Sequence, residues 1–514
     1  MSAYERDVEE DQGLADEEII LARDAMPIWV RKAPPWIMSV VIHAGLILIF
    51  TQITFAEYSH GPKDILIAAR EKKEQDYDPT LKRAFQKTPK IEFERQVEHP
   101  IIMLEEEVEI TKDIPKGTDL NNLSNKNLDG QSVVDAFGVG GGAAGAYGQR
   151  WGRGSFTHEG GSPGTERAVL AGLQWLVRHQ DEDGRWNSDD FHENCTKGKC
   201  DDAGFPYWDG GVTGLALLAF LGAGHTHRHG KFRQTVRKGL NWLKKNQKQG
   251  GVLDGAFGYE EDEPGRPKEE WIYNHAICTM AICEAYAVSR DFTLKKHAQR
   301  AVDFCLRAQN PNFGWRYGVR SGDNDTSVTG WMVLALKAAK TAELNVPKTA
   351  FMGARSWFDR ATSQSGVTGY RAPDGSSSYL PMQQGKYEAV PCMTAVAVLC
   401  RIFTGQKKSD EVIKKGEREL MKYLPSWPED STKPVNMYYW YYGTYAMFQL
   451  GGRSWREWNK AMKPALLPTQ RQGGCEDGSW DAVGEWGIAG GRVYSTAINV
   501  LTLEIYYRYV RAQN

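Results

Sequence analysis

Two aspartates and a histidine are the residues of this chain best suited to moving a proton. Asp323 and Asp325 directly precede the apolar run 326–336, and His275 lies near the start of another apolar run. A carboxylic acid kept protonated by its surroundings can donate a proton, and so can a histidine. The structural alternatives are an aspartate that caps a helix and a histidine bonded to a carbonyl group. We hypothesise that His275 and Asp325 form a polar pair in one cavity.

Aromatic side chains collect near the beginnings of several apolar segments. An aromatic face stabilises a cation by about 0.5 to 2 kcal/mol. Such residues either line a ligand cavity or pack as amphipathic side chains, and both interpretations stay open here. The candidate ligand-binding residues are Trp208, Asp209, Trp271, Tyr273, Trp331, Tyr438, Tyr441 and Tyr494.

These residues lie in a regular alternation of segments between residues 165 and 514. Six segments, beginning near 211, 273, 325, 389, 438 and 493, are apolar nearly all round, which predicts buried helices. The segments between them, such as 231–247, carry one apolar stripe and a charged face. Because a repeated helix pair cannot bury its apolar stripe alone, the pairs must stack or close into a ring. We therefore predict an all-α fold, an (α/α)6 toroid with inner and outer helices.

A short motif follows the amphipathic segments: a Gln, then a Gly, then an aromatic residue. It resembles the QW repeat of squalene-hopene and oxidosqualene cyclases, whose toroid is shared with protein prenyltransferase beta subunits. The resemblance covers residues 165–514. It implies that the Gln caps a neighbouring helix and that the Trp stacks on it, so these residues brace the ring and do not catalyse. The motif recurs at Gln180, Gln247, Gln309, Gln364 and Gln470.

The segment around Asp325 is similar to the Asp-x-Asp-Asp-Thr-Ala motif of class II terpene cyclases. Asp325 matches the last Asp, but Asn324 stands where the proton-donating Asp is expected, and Gly322 replaces the first Asp. An amide cannot donate such a proton. The resemblance therefore implies the cyclase fold without the usual acid.

The cysteines and serines of the chain argue against a catalytic metal. Where prenyltransferases bind zinc through Cys and His, this chain has Ser327 and Ser495, so neither a catalytic zinc nor another cofactor is expected at these positions. Cys195 and Cys200 lie five residues apart in a long loop. We predict a disulfide between them, with a metal site or unpaired thiols as alternatives.

Residues 36–56 are nearly uncharged and long enough to span a bilayer as a helix. Arg31 and Lys32 precede this segment, which places the N-terminus in the cytoplasm and the toroid outside the inner membrane. His43 is costly to bury in lipid. Together with Ser39 it is similar to the anchor of TonB-type proteins, which implies a motor complex as partner. The alternative is a histidine bonded to a backbone carbonyl.

The predicted organisation has five parts: an acidic cytoplasmic tail (1–35), a transmembrane helix (36–56), a charged stalk (57–137), a Gly-rich linker (138–164) and the toroid (165–514). A net charge of -2 argues against bulk nucleic-acid binding. Three functions remain open: an isoprenoid enzyme of cyclase or prenyltransferase type, a non-catalytic binding or scaffold toroid at the envelope, and a polysaccharide lyase. The last rests on fold analogy alone.

Overall fold

The computed structural model describes residues 160–508 and 511, apart from 197, 264–265, 268, 377–389 and 429–434. The predicted tail, membrane span and stalk lie outside the described residues, and so do Ser39 and His43. No helix in the described part of the chain is both long and apolar enough to cross a membrane.

The described residues form twelve α-helices and one small antiparallel hairpin. The helices are α1 (Pro163–Arg178), α2 (Asp209–Gly222), α3 (Arg233–Asn246), α4 (Ile272–Ser289), α5 (Phe292–Ala308), α6 (Thr326–Thr341), α7 (Lys348–Ala361), α8 (Cys392–Phe403), α9 (Glu411–Leu420), α10 (Met437–Leu450), α11 (Gly452–Leu466) and α12 (Gly484–Arg508). Strands β1 (Glu261–Glu263) and β2 (Arg266–Pro267) precede α4, and 3-10 turns cover Phe191–Asn194 and Glu269–Trp271. Helix α12 bends at Gly491, where φ is +69°, so its inner part begins at Arg492.

The even-numbered helices form a closed ring. Each packs against the next, from α2 through α4, α6, α8 and α10 to α12, and α12 packs back against α2. Each odd-numbered helix packs against one or two even-numbered helices. The all-α prediction is confirmed, and this closed order of contacts is that of the predicted six-pair toroid.

Burial explains why the two helix classes differ in sequence. In α2 every residue after Asp209 is buried, because the helix has neighbours on all sides. In α3 the buried residues form one stripe, which includes Val236, Leu240 and Leu243 and follows the spacing of one helix face. The remaining, charged residues of α3 face solvent.

Four of the motif glutamines each connect one outer helix to the next one. The Gln309 amide nitrogen donates to the Phe313 carbonyl at 2.7 Å and to the Ala350 carbonyl of α7 at 2.9 Å. The predicted bracing role is confirmed, although the amide joins carbonyl groups and does not cap a helix. The same pair of bonds is made by Gln180 to Gly184 and Thr235, by Gln247 to Gly255 and His297, and by Gln470 to Gly478 and Ala168.

The fourth repeat departs from this pattern. Gln364 is exposed, so the motif predicted there is wrong. Since the same backbone turn follows Thr362 as follows Gln180, Thr362 and Thr368 occupy the positions of Gln180 and Trp186. The two threonine hydroxyls lie 2.8 Å apart and hold the turn together without the amide.

Glycines in these turns let the backbone touch the neighbouring outer helix. Gly255 has φ +87°, and a Cβ atom there would overlap the Arg300 carbonyl of α5. Gly250, in the same loop, has φ +74° but open space around it. Comparing substitutions at these two glycines therefore separates the cost of backbone strain from the cost of a steric clash.

We predict that Gly255→Ala destabilises the protein more than Gly250→Ala does. Both variants carry the cost of a positive φ, about 1 kcal/mol. Only Gly255→Ala also forces a methyl group into α5, which lowers the free energy of unfolding by about 1 to 3 kcal/mol more. Urea unfolding of the two variants measures the difference, and equal losses would contradict the close contact.

Candidate functional site

The Asn310 side chain makes three hydrogen bonds to the loop before α6. Its Nδ2 atom donates to the Asp323 carbonyl at 2.6 Å and to Asn324 Oδ1 at 3.1 Å. Its Oδ1 atom accepts from the Gly322 amide at 2.9 Å. Gly322 and Asn324, which depart from the cyclase acid motif, thus have a structural role: they fix the loop that presents Asp325.

Asp325 is a buried helix cap. Its Oδ1 atom accepts from the Val328 amide at 2.7 Å, which confirms the predicted capping role. Its Oδ2 atom lies 3.8 Å from Arg316 Nε, and the carboxyl also interacts with the Tyr370 hydroxyl. Burial raises the pKa of Asp325 to about 7, although Val328, Arg316 and the Tyr370 hydroxyl each lower it. The carboxyl is therefore partly protonated near neutral pH.

Asp323 has the opposite electrostatic environment. Its Oδ2 atom accepts from Arg371 at 2.6 Å and also from Arg316. Partial burial opposes the shift, but the bond from Arg371 and the charge of Arg316 hold the pKa of Asp323 below its ordinary value. This Arg–Asp cluster was not expected from the sequence. Two neighbouring carboxyls whose pKa values are pushed apart are suited to different roles, one as an acid and one as an anion.

Three tyrosines, Tyr273, Tyr317 and Tyr370, form a cluster next to Asp325. The Tyr317 and Tyr370 hydroxyls lie 2.8 Å apart, and Tyr370 also interacts with Tyr273 and Asp325. Tyr370 is buried, whereas Tyr273 and Tyr317 are partly exposed. This tyrosine cluster connects the buried carboxyl to a surface that we call the mouth, formed by Tyr273, Tyr317 and Asp323.

The fold brings these tyrosines together from separate repeats. The Tyr370 carbonyl accepts from the Thr326 amide at 2.9 Å, which fixes the 369–370 turn on the start of α6. The Arg316 guanidinium lies 4.9 Å from the centre of the Tyr317 ring. Sequence reasoning missed both Tyr317 and Tyr370 as site residues, because no spacing rule links residues on different turns.

A second aromatic group fills the ring between α6 and α10. Trp331 stacks on Tyr441 with ring centres 5.8 Å apart, and the Tyr438 hydroxyl lies 2.9 Å from Ser327 Oγ. All three aromatic residues are almost completely buried. They therefore pack against neighbouring side chains and expose little of their own surface.

The other predicted ligand residues are divided between core and surface. Trp271 is buried against Phe304. Trp208 and Tyr494 keep partial exposure. Asp209 is also partly exposed, and its Oδ1 atom accepts from the Ser188 amide at 2.9 Å.

His275 is a packing residue. It is completely buried, its Nδ1 atom accepts from the Phe257 amide at 3.1 Å, and its Nε2 atom lies 3.2 Å from Cys305 Sγ in α5. Burial lowers the pKa of His275 to about 3, so the ring is neutral. The structure thus does not place His275 with Asp325, because its ring faces the outer helix.

The predicted disulfide between Cys195 and Cys200 is wrong. Neither cysteine is in a disulfide, and each Sγ atom lies 3.4 Å from His179 Nε2. Cys475 Sγ lies at the same distance from that nitrogen. Sequence reasoning missed His179 and Cys475, which are 296 residues apart and meet only because the ring closes.

No protein-family model and no curated protein matches this chain. Among solved structures, the type II terpene cyclase MstE from Scytonema is 13% identical with a TM-score of 0.44, covering 66% of this chain and 97% of the cyclase. The alpha-1,6-mannanase GH76A of Salegentibacter is 11% identical with a TM-score of 0.44, covering 67% and 99%. An alpha-amylase from Clostridium perfringens is 13% identical with a TM-score of 0.43, covering 66% and 97%. These similarities are too low to support an argument about activity. The closed ring is inferred from the helix contacts of this chain alone.

We predict that Asp325→Asn changes how stability depends on pH. Asparagine can still cap α6. The pKa of Asp325 is about 7 in the folded protein against an ordinary 3.8, so the wild-type carboxyl contributes stability below pH 3.8 that is lost as pH rises to 7. Relative to the variant, the wild type should lose up to about 4 kcal/mol of unfolding free energy between pH 4 and 8. Urea unfolding across this range measures it.

Asp323→Asn is the matched control for this series. Because the pKa of Asp323 is lowered, its contribution is lost as pH falls, which is the opposite trend. A difference between wild type and Asp325→Asn that does not vary with pH would contradict the assignment of a raised pKa.

Proposed function

We propose that the toroid binds a largely apolar, isoprenoid-like ligand at the mouth and protonates it at an oxygen atom. The observation that carries this proposal is the buried Asp325 carboxyl, whose pKa of about 7 is accompanied by a tyrosine cluster leading to the mouth. A general acid works best when its pKa lies near the working pH.

The same pKa argues for oxygen and against carbon as the atom protonated. Protonating a carbon–carbon double bond needs a strong acid, and burial makes Asp325 a weaker one. Asn324, at the position of the cyclase acid, cannot donate a proton and is bonded to Asn310. An ether or epoxide oxygen is far more basic than an alkene and suits a donor of this strength.

Asp325, the tyrosine cluster and Asp323 each have a defined part in this step. Asp325 supplies the proton, which passes through the Tyr370 and Tyr317 hydroxyls to the ligand oxygen. A carbon–oxygen bond of the ligand then breaks, the oxygen keeps the electron pair as a hydroxyl, and the carbon becomes cationic. Ionised Asp323 and the faces of Tyr273 and Tyr317 stabilise that charge. The cation then loses a proton from a neighbouring carbon to solvent, which gives a neutral alkene product, and Asp325 takes up a proton from solvent.

The test uses the full chain, purified in detergent, with squalene 2,3-epoxide as the probe. The wild type should convert the epoxide. Asp325→Asn should still bind it, but its rate of conversion should be at least about 100-fold lower. Asp209→Asn is the control, because Asp209 also begins an inner helix but bonds to Ser188 instead of the tyrosine cluster. Products are identified by mass spectrometry. Equal conversion by Asp325→Asn and wild type would refute the role of Asp325.

A non-catalytic toroid is the second candidate, and the packing of Trp331 against Tyr441 favours it. Both rings are almost completely buried, which argues against a long chain enclosed between them. In that case the protein should release an intact lipid on extraction. Asp325→Asn should release the same amount, and the epoxide should stay unchanged in both.

We also propose that residues 36–56 anchor the protein in the inner membrane, with Ser39 and His43 facing a motor complex. The support is the uncharged sequence of this segment and the two basic residues before it. Deleting 36–56 should move the protein from the carbonate-washed membrane pellet to the supernatant. Deleting the equally long stalk segment 57–77 should leave it in the pellet. A full chain found in the supernatant would contradict the anchor.

A further inference from the structure

Four side chains from three segments converge where the first and last repeats meet. His179 follows α1, Cys195 and Cys200 lie in the α1–α2 connection, and Cys475 lies between α11 and α12. Their potential ligand atoms all lie within 4.8 Å of one another. His179 and Cys200 are buried, as is Cys475, while Cys195 is partly exposed. This group is separate from Asp325 and the mouth.

The distances fit a single tetrahedral cation. Each of the three sulfur atoms lies 3.4 Å from His179 Nε2. A zinc ion bound at about 2.3 Å to sulfur and about 2.0 Å to nitrogen separates those ligands by about 3.5 Å. The alternative is three thiol hydrogen bonds, but an imidazole nitrogen has only one lone pair in the ring plane. One cation between the four ligands explains all three sulfur-to-Nε2 distances. A hydrogen bond to the single Nε2 lone pair explains only one of them.

The surroundings prepare both kinds of ligand. His179 Nδ1 lies 2.9 Å from the Trp175 carbonyl, which can only accept, so Nδ1 carries the hydrogen and Nε2 is left with its lone pair. The His179 ring also stacks on the Trp175 indole with centres 4.1 Å apart. The Cys200 amide donates to Cys195 Sγ at 3.2 Å, so this sulfur already accepts a backbone hydrogen bond of the kind that metal-bound sulfur accepts.

We propose that His179, Cys195, Cys200 and Cys475 bind one zinc ion in a structural site. Thiolates and imidazole select zinc over magnesium or calcium. Four protein ligands fill a tetrahedral zinc, which leaves no position for water or substrate, so the site is structural.

The zinc would join the two ends of the ring. We call the contacts between the α1–α2 connection and the α11–α12 connection the seam. Buried Arg492 already crosses it, with ion pairs of 2.8 Å to both Asp202 and Asp481. Because Cys475 comes from one side of the seam and the other three ligands come from the other, metal binding and ring closure are coupled.

The test measures metal in the full chain, purified without a tag and without added metal. Inductively coupled plasma mass spectrometry should find one zinc per chain in the wild type. Cys475→Ser should contain at least tenfold less. Cys278→Ser is the matched control: Cys278 is also buried, outside this site, and it donates to the Gly210 carbonyl, a bond that serine keeps. It should retain one zinc.

A second measurement does not depend on how well Cys475→Ser folds. Cobalt(II) exchanged into the wild type should give the visible bands of a tetrahedral ion and a strong thiolate charge-transfer band. Cys195→Ser, which changes the partly exposed ligand, should weaken the charge-transfer band by about one third while the protein stays folded. A wild type without metal, or with a Cys195–Cys200 disulfide in peptide mapping, would overturn the proposal. Full zinc in both Cys475→Ser and Cys195→Ser would do the same.

Discussion

The inner helices are apolar on every side, and this single constraint determines the architecture. A helix such as α2, buried along its whole length after Asp209, needs a neighbour on both flanks. In an open array the first and last inner helices would each expose one flank to water. Closing the ring removes both exposed flanks, because α12 packs against α2. The ion pairs of Arg492 with Asp202 and Asp481 lie at the same junction of the first and last repeats.

The same burial that closes the ring produces the unusual carboxyl of Asp325. Helix α6 is buried from its first turn, so the residue that caps it must also be buried. A carboxylate in such a place loses its hydration, and its pKa rises. Asp323, two positions earlier and partly exposed between Arg316 and Arg371, stays ionised. A structural requirement of the helix therefore supplies the acid that the proposed function uses.

The helices could be predicted from sequence because their signals are local. Continuous apolar character marks α2 and α6, and recurring glutamines mark the turns between repeats. Features that depend on three-dimensional placement could not be predicted. Thr362 replaces a glutamine without resembling it, and His275 begins an inner helix but faces outward. The meeting of His179 with Cys475 could not be predicted, because it requires knowing that the ring closes.

Native-state hydrogen exchange, followed through rising urea, tests ring closure most directly. If the ring is closed at the seam, α2 and α12 share one cooperative unit with α4 to α10. Their slowest amides should then exchange with the same free energy of opening and the same dependence on urea. If the repeats form an open array, α12 and α1 should exchange at lower urea while α4 to α8 stay protected. That second result would contradict the closed ring and the coupling of the seam to it.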